Sequence, residues 1–209
     1  MQKVLFVSDP HICLPGQKII GLDPSARLSE VLVAATTAHP DAAALVLLGD
    51  LTHHGAPGEY AALAQVLDKV RVPIIPMLGN HDRRDAFLDQ FAGAPQTASG
   101  HIQQWCDIGA HRIITMDSLD GPPYPDQHHA GFLCADRLVF LDHALSTRAG
   151  RHAIVCIHHP PFNTGVIGMD RIKLRNGAQV LDLLARHGNL HLVCGHLHQT
   201  ISGNAHGIP

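Results

Sequence analysis

Five short polar clusters in this 209-residue chain carry side chains that bind metal ions and move protons. They are Asp9-Pro10-His11, Gly49-Asp50, Gly79-Asn80-His81-Asp82, His158-His159 and Gly195-His196-Leu197-His198. Carboxylates, imidazoles and one carboxamide make a donor set suited to borderline divalent ions such as Mn(II), Fe(II) or Zn(II). Imidazole is also the side chain that most readily exchanges a proton near neutral pH. Taken singly, the clusters say little. Asp-x-His and Gly-Asp are ordinary turn sequences, and His-His before Pro160-Pro161 reads equally well as a solvated loop. Gly-Asn-His-Asp is more specific, and Gly-His-x-His is the most specific of the five. The chain holds 18 histidines against 15 lysines and arginines, so each histidine has to be weighed against a compositional bias.

Position along the chain separates the two readings. Residues 3–8, 43–48, 73–78, 152–157 and 190–194 are short apolar runs that read as buried strands, and each ends in one of the clusters. Between them lie helical patterns. Asp23 is an expected N-cap with Pro24 at the first helical position, followed by Leu28, Val31, Leu32 and Ala35 on one face, up to Pro40. Residues 57–70 place Tyr60, Leu63, Ala64 and Leu67 on one face. Shorter helices are expected over 84–91, 135–145 and 179–187, and a further strand over 111–116. Strands alternating with helices indicate an α/β domain, in which the carboxyl ends of the strands converge on a ligand-binding rim. Five clusters at five strand ends are hard to obtain from bias alone. The glycines before Asp50, Asn80 and His196 let the backbone turn sharply and approach a ligand closely. Gly121-Pro122-Pro123-Tyr124-Pro125 is an expected surface loop, and the stretch 121–130 is expected to border the pocket.

Bulk properties narrow the class. The length suits one domain, 1–209, with a sizeable core. Apolar residues at 45% and charged residues at 16% exclude a disordered chain. A formal charge of -3 gives no electrostatic reason to expect a nucleic-acid duplex as partner. The first nine residues do not read as a signal peptide, and no apolar run is long enough for a membrane span. Five scattered cysteines, without zinc-site or redox spacing, point to reduced thiols and a cytoplasmic location.

Asp9-x-His11, Gly49-Asp50, Gly79-Asn80-His81-Asp82, His158 and Gly195-His196-x-His198 together resemble the calcineurin-like metallophosphoesterases, over residues 4 to about 200. Within that superfamily the sequence is most similar to bacterial class III cyclic-nucleotide phosphodiesterases and glycerophosphodiesterases. That narrower likeness rests on His158-His159-Pro160-Pro161, Met169-Asp170 and the helix after Gly49-Asp50. The resemblance implies a four-layer α/β/β/α sandwich of two mixed sheets and a pair of divalent ions, Mn(II) or Fe(II) first, with Zn(II) or Co(II) as alternatives. It implies Asp9, His11 and His198 on one ion, Asn80, His158 and His196 on the other, and Asp50 bridging them. His81 then contacts the phosphoryl group or protonates the leaving alkoxide, with Asn80 and His159 as further substrate contacts. His158 is preferred to His159 as ligand because it aligns with the family's single histidine there. Asp82 is expected to cap the following helix rather than orient His81.

Departures from the family bear on the substrate. Leu51-Thr52-His53-His54-Gly55 has no arginine after Gly-Asp, unlike the related protein phosphatases. Tyr60 and Tyr124 lie outside the clusters, which argues against a ferric tyrosinate centre. A small phosphodiester is the expected substrate, first a 3',5'-cyclic nucleotide such as cAMP. A glycerophosphodiester or a phosphomonoester is the alternative, and a metal-binding scaffold of the same fold is the non-enzyme reading. The chain ends at Gly207-Ile208-Pro209, where relatives continue with strands that often add an oligomer contact and a pocket wall, so a shortened chain is expected. Oligomeric state is left open, a homo-oligomer included. His53, His54, His128, His129 and His206 read as solvated loop residues in a histidine-rich chain, with substrate contact as the alternative.

Overall fold

The computed structural model describes residues 2–121 and 129–209. Strand β1 (Lys3–Val7) leads to helix α1 (Pro24–Ala38), β2 (Ala42–Leu48), α2 (Pro57–Leu67), β3 (Ile74–Met77) and α3 (Arg84–Gln90). There follow β4 (Gln104–Ile108), β5 (His111–Met116), α4 (Ala135–Ser146), β6 (His152–Ile157), α5 (Ile167–Asp170), α6 (Gly177–His187) and β7 (Leu190–Val193). Asp23 caps α1 as its sequence implies, its carboxylate accepting from the Ser25 and Ala26 amides. Strand β4 has no counterpart in the sequence reading. Helix α2 stops three residues short of the expected end.

Two sheets form, in the orders β1-β2-β3 and β4-β5-β6-β7. In the first sheet both pairs are parallel. The second is mixed: β4 and β5 are antiparallel, while β5, β6 and β7 run parallel. Alternation along the strands explains the layers, because successive side chains leave a strand on opposite faces. Leu45 and Leu47 of β2 pack with Leu28, Leu32, Tyr60, Leu63 and Phe87 of the first helical layer. Ala44, Val46 and Leu48 point the other way and meet Ile113 and Cys156 of the second sheet. Ile114, Met116, Val155 and Ile157 face the outer helices α4 and α6 through Leu141, Leu145, Val180 and Leu184. Helix, sheet, sheet and helix thus stack as four layers. Strand β2 is apolar at every position because both its faces are buried.

Pro122 to His128, including Tyr124, lie outside the described residues, so most of the expected proline-rich loop does too. No helix among the described residues is long and apolar enough to cross a membrane.

Candidate metal centre

Parallel strands deliver their carboxyl ends to one rim, and all five polar clusters meet there. Asp9 and His11 follow β1, Asp50 follows β2, Asn80 and His81 follow β3, His158 and His159 follow β6, and His196 and His198 follow β7. The β1 and β2 loops are stitched together by His11 N–H to Asp50 O at 2.9 Å and Ile12 N–H to Leu51 O at 3.0 Å. The backbone is bent hard at this rim. Among the described residues, nine non-glycine residues have positive φ, and five of them are Asp9, His11, Asp50, His196 and His198. Each such residue costs on the order of 1–3 kcal/mol, and such outliers cluster at functional sites. The glycines contribute differently. Gly49 has φ +89°, and a Cβ there would stand 2.6 Å from His158 Nδ1. At Gly79 close approach is the constraint, since a Cβ would collide with Asp50 Oδ1 and lie 2.7 Å from His158 Cε1.

Two donor groups lie on either side of Asp50, which is almost fully buried. Asp9, His11, Asp50 and His198 offer donor atoms within 4.8 Å of one another. His11 Nε2 stands 3.0 Å from His198 Nε2 and 3.6 Å from Asp50 Oδ2. On the other side His158 Nε2 is 3.4 Å from Asp50 Oδ1 and 3.2 Å from Asn80 Oδ1. His158 Nδ1–H donates to Leu48 O at 2.7 Å, which turns Nε2 toward the cluster. His196 Nε2–H donates to Ile172 O at 3.1 Å, leaving Nδ1 as its free donor atom. A histidine with one nitrogen held by a carbonyl and the other aimed at oxygen and nitrogen donors is the arrangement metal-binding imidazoles adopt. The donor set therefore fits divalent ions.

Electrostatics favour ligation at Asp9, Asp50, His11 and His196 and oppose it at His158, which a cation would have to deprotonate. Burial alone would raise Asp50 and Asp9. The neighbouring His158 holds Asp50 below the carboxylate range, and hydrogen bonding to His198 holds Asp9 down. Burial depresses His11 and His196 to about 4, so both are neutral and have lone pairs to offer. Burial also works against a charge on His158, but the Asp50 carboxylate outweighs it and holds the imidazole up at about 9.

His159 is also fully buried, and its donor atom groups with those of His158 and His196. Both its nitrogens are engaged, however. Nε2–H donates to His129 O at 3.0 Å and Nδ1 accepts from Ser118 Oγ–H at 2.7 Å. His81 Nδ1–H donates to His53 O at 2.7 Å, so Nε2 is its free end. Asp82 departs from expectation. The N-cap of α3 is Arg83, with no side-chain cap bond. The Asp82 carboxylate is buried and accepts from the amides of Leu51, Thr52 and Gly79, from Thr52 Oγ and from Tyr60 OH. Burial pushes it up to about 6, with the Asp50 charge adding to the rise. Its work is to fasten the Gly79 loop to the Asp50 loop. Tyr60 donates its hydroxyl to that carboxylate, away from the donor groups.

Two residues read as solvated loop positions belong to this rim. His53 stacks on one side of His81 at 5.4 Å, and His129 stacks on His81 at 5.3 Å. Neither lies in a periodic segment, so the sequence carried no signal for them. His54 is held by buried Glu59. His128 lies outside the described residues.

The family model for calcineurin-like phosphoesterases matches residues 2–200. The chain belongs to that family. As a calcineurin-like phosphoesterase it is a hydrolase of phosphoric esters that works with divalent metal ions. It is 42% identical over 209 residues to a probable cyclic nucleotide phosphodiesterase of Rhodopseudomonas palustris, covering 99% of this chain and 75% of that one. It is 31% identical over 198 residues to a glycerophosphodiester phosphodiesterase of Enterobacter lignolyticus, covering 92% of this chain and 69% of the relative. Among solved structures, a dimetal phosphatase from Danio rerio superposes with a TM-score of 0.75 at 13% identity, over 94% of this chain and 82% of that one. The last likeness bears on the fold alone and agrees with the four layers.

Proposed function

We propose that this phosphoesterase is a dinuclear phosphodiesterase acting on a small phosphodiester, first a 3',5'-cyclic nucleotide such as cAMP. Asp9, His11 and His198 would hold one ion, and Asn80, His158 and His196 would hold the other. Asp50 would bridge them. The observation that carries this reading is the buried Asp50 carboxylate, with one oxygen toward His11 and the other toward His158. Mn(II) or Fe(II) suit the mixture of imidazole and oxygen donors, with Zn(II) or Co(II) as substitutes. Bound divalent ions supply Lewis acidity at the phosphoryl oxygens and lower the pKa of water.

The chain's own groups do the rest. Asp9 and Asp50, held ionised, compensate the positive charge in a buried setting. His81, fixed through its Nδ1–H, presents Nε2 to the leaving oxygen. A bond forms from a water oxygen to phosphorus as the ester P–O bond opposite breaks; the leaving alkoxide takes the Nε2 proton of a His81 ring protonated on both nitrogens, one water proton stays on the product phosphate, and the other restores the ring. His159, with both nitrogens engaged, supports the rim rather than binding substrate or metal. The relative at 42% identity favours a cyclic nucleotide, and the one at 31% makes a glycerophosphodiester the second reading.

The test is metal-stripped protein reloaded with Mn(II), assayed on bis(p-nitrophenyl) phosphate, p-nitrophenyl phosphate, cAMP and glycerophosphocholine, beside Asp50→Ala. Metal-dependent diester cleavage that the variant loses supports the proposal, and the two natural diesters rank the substrates. Preference for the monoester would replace it with a phosphatase reading.

A further inference from the structure

Asn80 is the one neutral oxygen donor in the proposed ligand set, and a carboxamide has two nearly isosteric ends. Only its oxygen can bind a cation, so something must decide which end faces the cluster. Asn80 Oδ1 lies 3.2 Å from His158 Nε2, and Asn80 Nδ2 lies 3.0 Å from His129 Nδ1. The NH2 group can only donate, so His129 Nδ1 is the acceptor and the imidazole proton sits on Nε2. With the amide reversed, Asn80 Oδ1 would meet that lone pair, and the NH2 group would face the ions.

His129 is itself fastened. Its carbonyl accepts from His159 Nε2–H, and Ser118 Oγ–H holds the other side of the His159 ring. Gly131 O accepts from Arg175 N–H at 2.9 Å, and Phe132 N–H donates to Ser118 O at 3.0 Å. A Cβ on Gly131 would stand 2.6 Å from His159 Cγ, so this chain segment lies directly against the buried ring. The fully buried His159 thereby finds a purpose that neither ligation nor substrate contact gives it.

We infer that His129 is a positioning residue that acts through Asn80, orienting the carboxamide oxygen toward the second ion. Held by Ser118 and His159, it sets how tightly that ion binds. The inference rests on the proposed role of Asn80 as a ligand. The experiment is equilibrium Mn(II) titration by calorimetry and electron paramagnetic resonance, on wild type, His129→Ala, His129→Asn and Asn80→Ala. His129→Ala should weaken one of two Mn(II) sites by ~10- to ~100-fold, the range typical of lost outer-shell partners. The other site should stay within about twofold, which also reports an intact fold. His129→Asn places an acceptor oxygen where Nδ1 stood and should restore binding to within about threefold. Wild-type affinity at both sites in His129→Ala, while Asn80→Ala weakens one, would overturn the inference and leave the ligand set standing. The same follows if His129→Asn binds as poorly as His129→Ala, because the acceptor would then not be the cause. Unchanged affinity in Asn80→Ala would remove the ligand assignment itself, and the inference with it.

Discussion

Gly79 carries no side chain, and the space a methyl group would need is already taken by Asp50 Oδ1 and the His158 ring. The atoms in the way are the Asp50 backbone nitrogen, its buried carboxylate and a buried imidazole, none of which can swing aside. Gly79→Ala should therefore push Asp50 off the position from which it faces both donor groups. We expect Mn(II) affinity to fall at least ~10-fold, as when a ligand's support is lost, with the circular dichroism of the folded protein retained. Wild-type Mn(II) binding in that variant would refute the crowding argument. At this scale the sequence was most legible where residue type is rare and placement constrained: the ligand-type residues each follow an apolar run. His53 and His129 were not legible, because loop residues have no period to betray which way they point. Asp82 misled for a different reason. Aspartate before a helix usually caps it, but here the chain turns the carboxylate inward, where five donors collect on it.

The elements carrying the ligands come from both halves of the molecule and have to be held in register. Helix α3, which follows the Asn80–His81 loop, is tied to the end of β5 by Arg84, whose Nε and Nη2 reach the two oxygens of Asp117 at 2.6 and 2.8 Å. The same carboxylate accepts from the amides of Ile102 and Leu119, and Arg137 donates to the Asp117 carbonyl. Asp117 is fully buried and Arg84 nearly so. Asp117→Ala would remove the buried carboxylate on which Arg84 and the amides of Ile102 and Leu119 converge. We expect a loss of about 3–5 kcal/mol, read from urea unfolding midpoints at constant slope. A change under about 1 kcal/mol would mean the pair is dispensable. Most elements were legible from their apolar period. Strand β4 was not, because Gln104, Trp105, Cys106, Asp107 and Ile108 show no alternation and become a strand only by pairing with β5 across a tight hairpin.

For the molecule as a whole, ions shared between Asp50 or Asn80 of one half and His158 or His196 of the other would bind only when both halves are in place. Any ligand that binds the native chain alone raises its stability by mass action. Mn(II) at one hundred times its dissociation constant adds about 2.7 kcal/mol per site. That should raise the melting temperature by roughly 5–10 °C per site in a chain of this size. The check is thermal unfolding followed by circular dichroism, with EDTA and then with Mn(II), and Asp50→Ala should lose most of the shift. The α/β class was legible from alternating strands and helices, since strands announce a sheet. The number of sheets was not, because a period of two says which side chains share a face but never what that face meets. The four layers came from family likeness, and the structure agrees.

Left-handed backbone at Asp9, His11, Asp50, His196 and His198 has an evolutionary reading as well. An aspartate or histidine is retained in such a conformation only while selection rewards what its side chain does. A descendant that no longer needed the ions would be free to drift, and glycine or asparagine would be the residues its backbone favours at these five places. Gly49 and Gly79 would stay through the same loss, because Gly49 has φ +89° and backbone atoms, not only side chains, stand where a Cβ on either would go. A decayed copy of this enzyme should thus be recognisable by where new glycines appear, before its fold has changed at all.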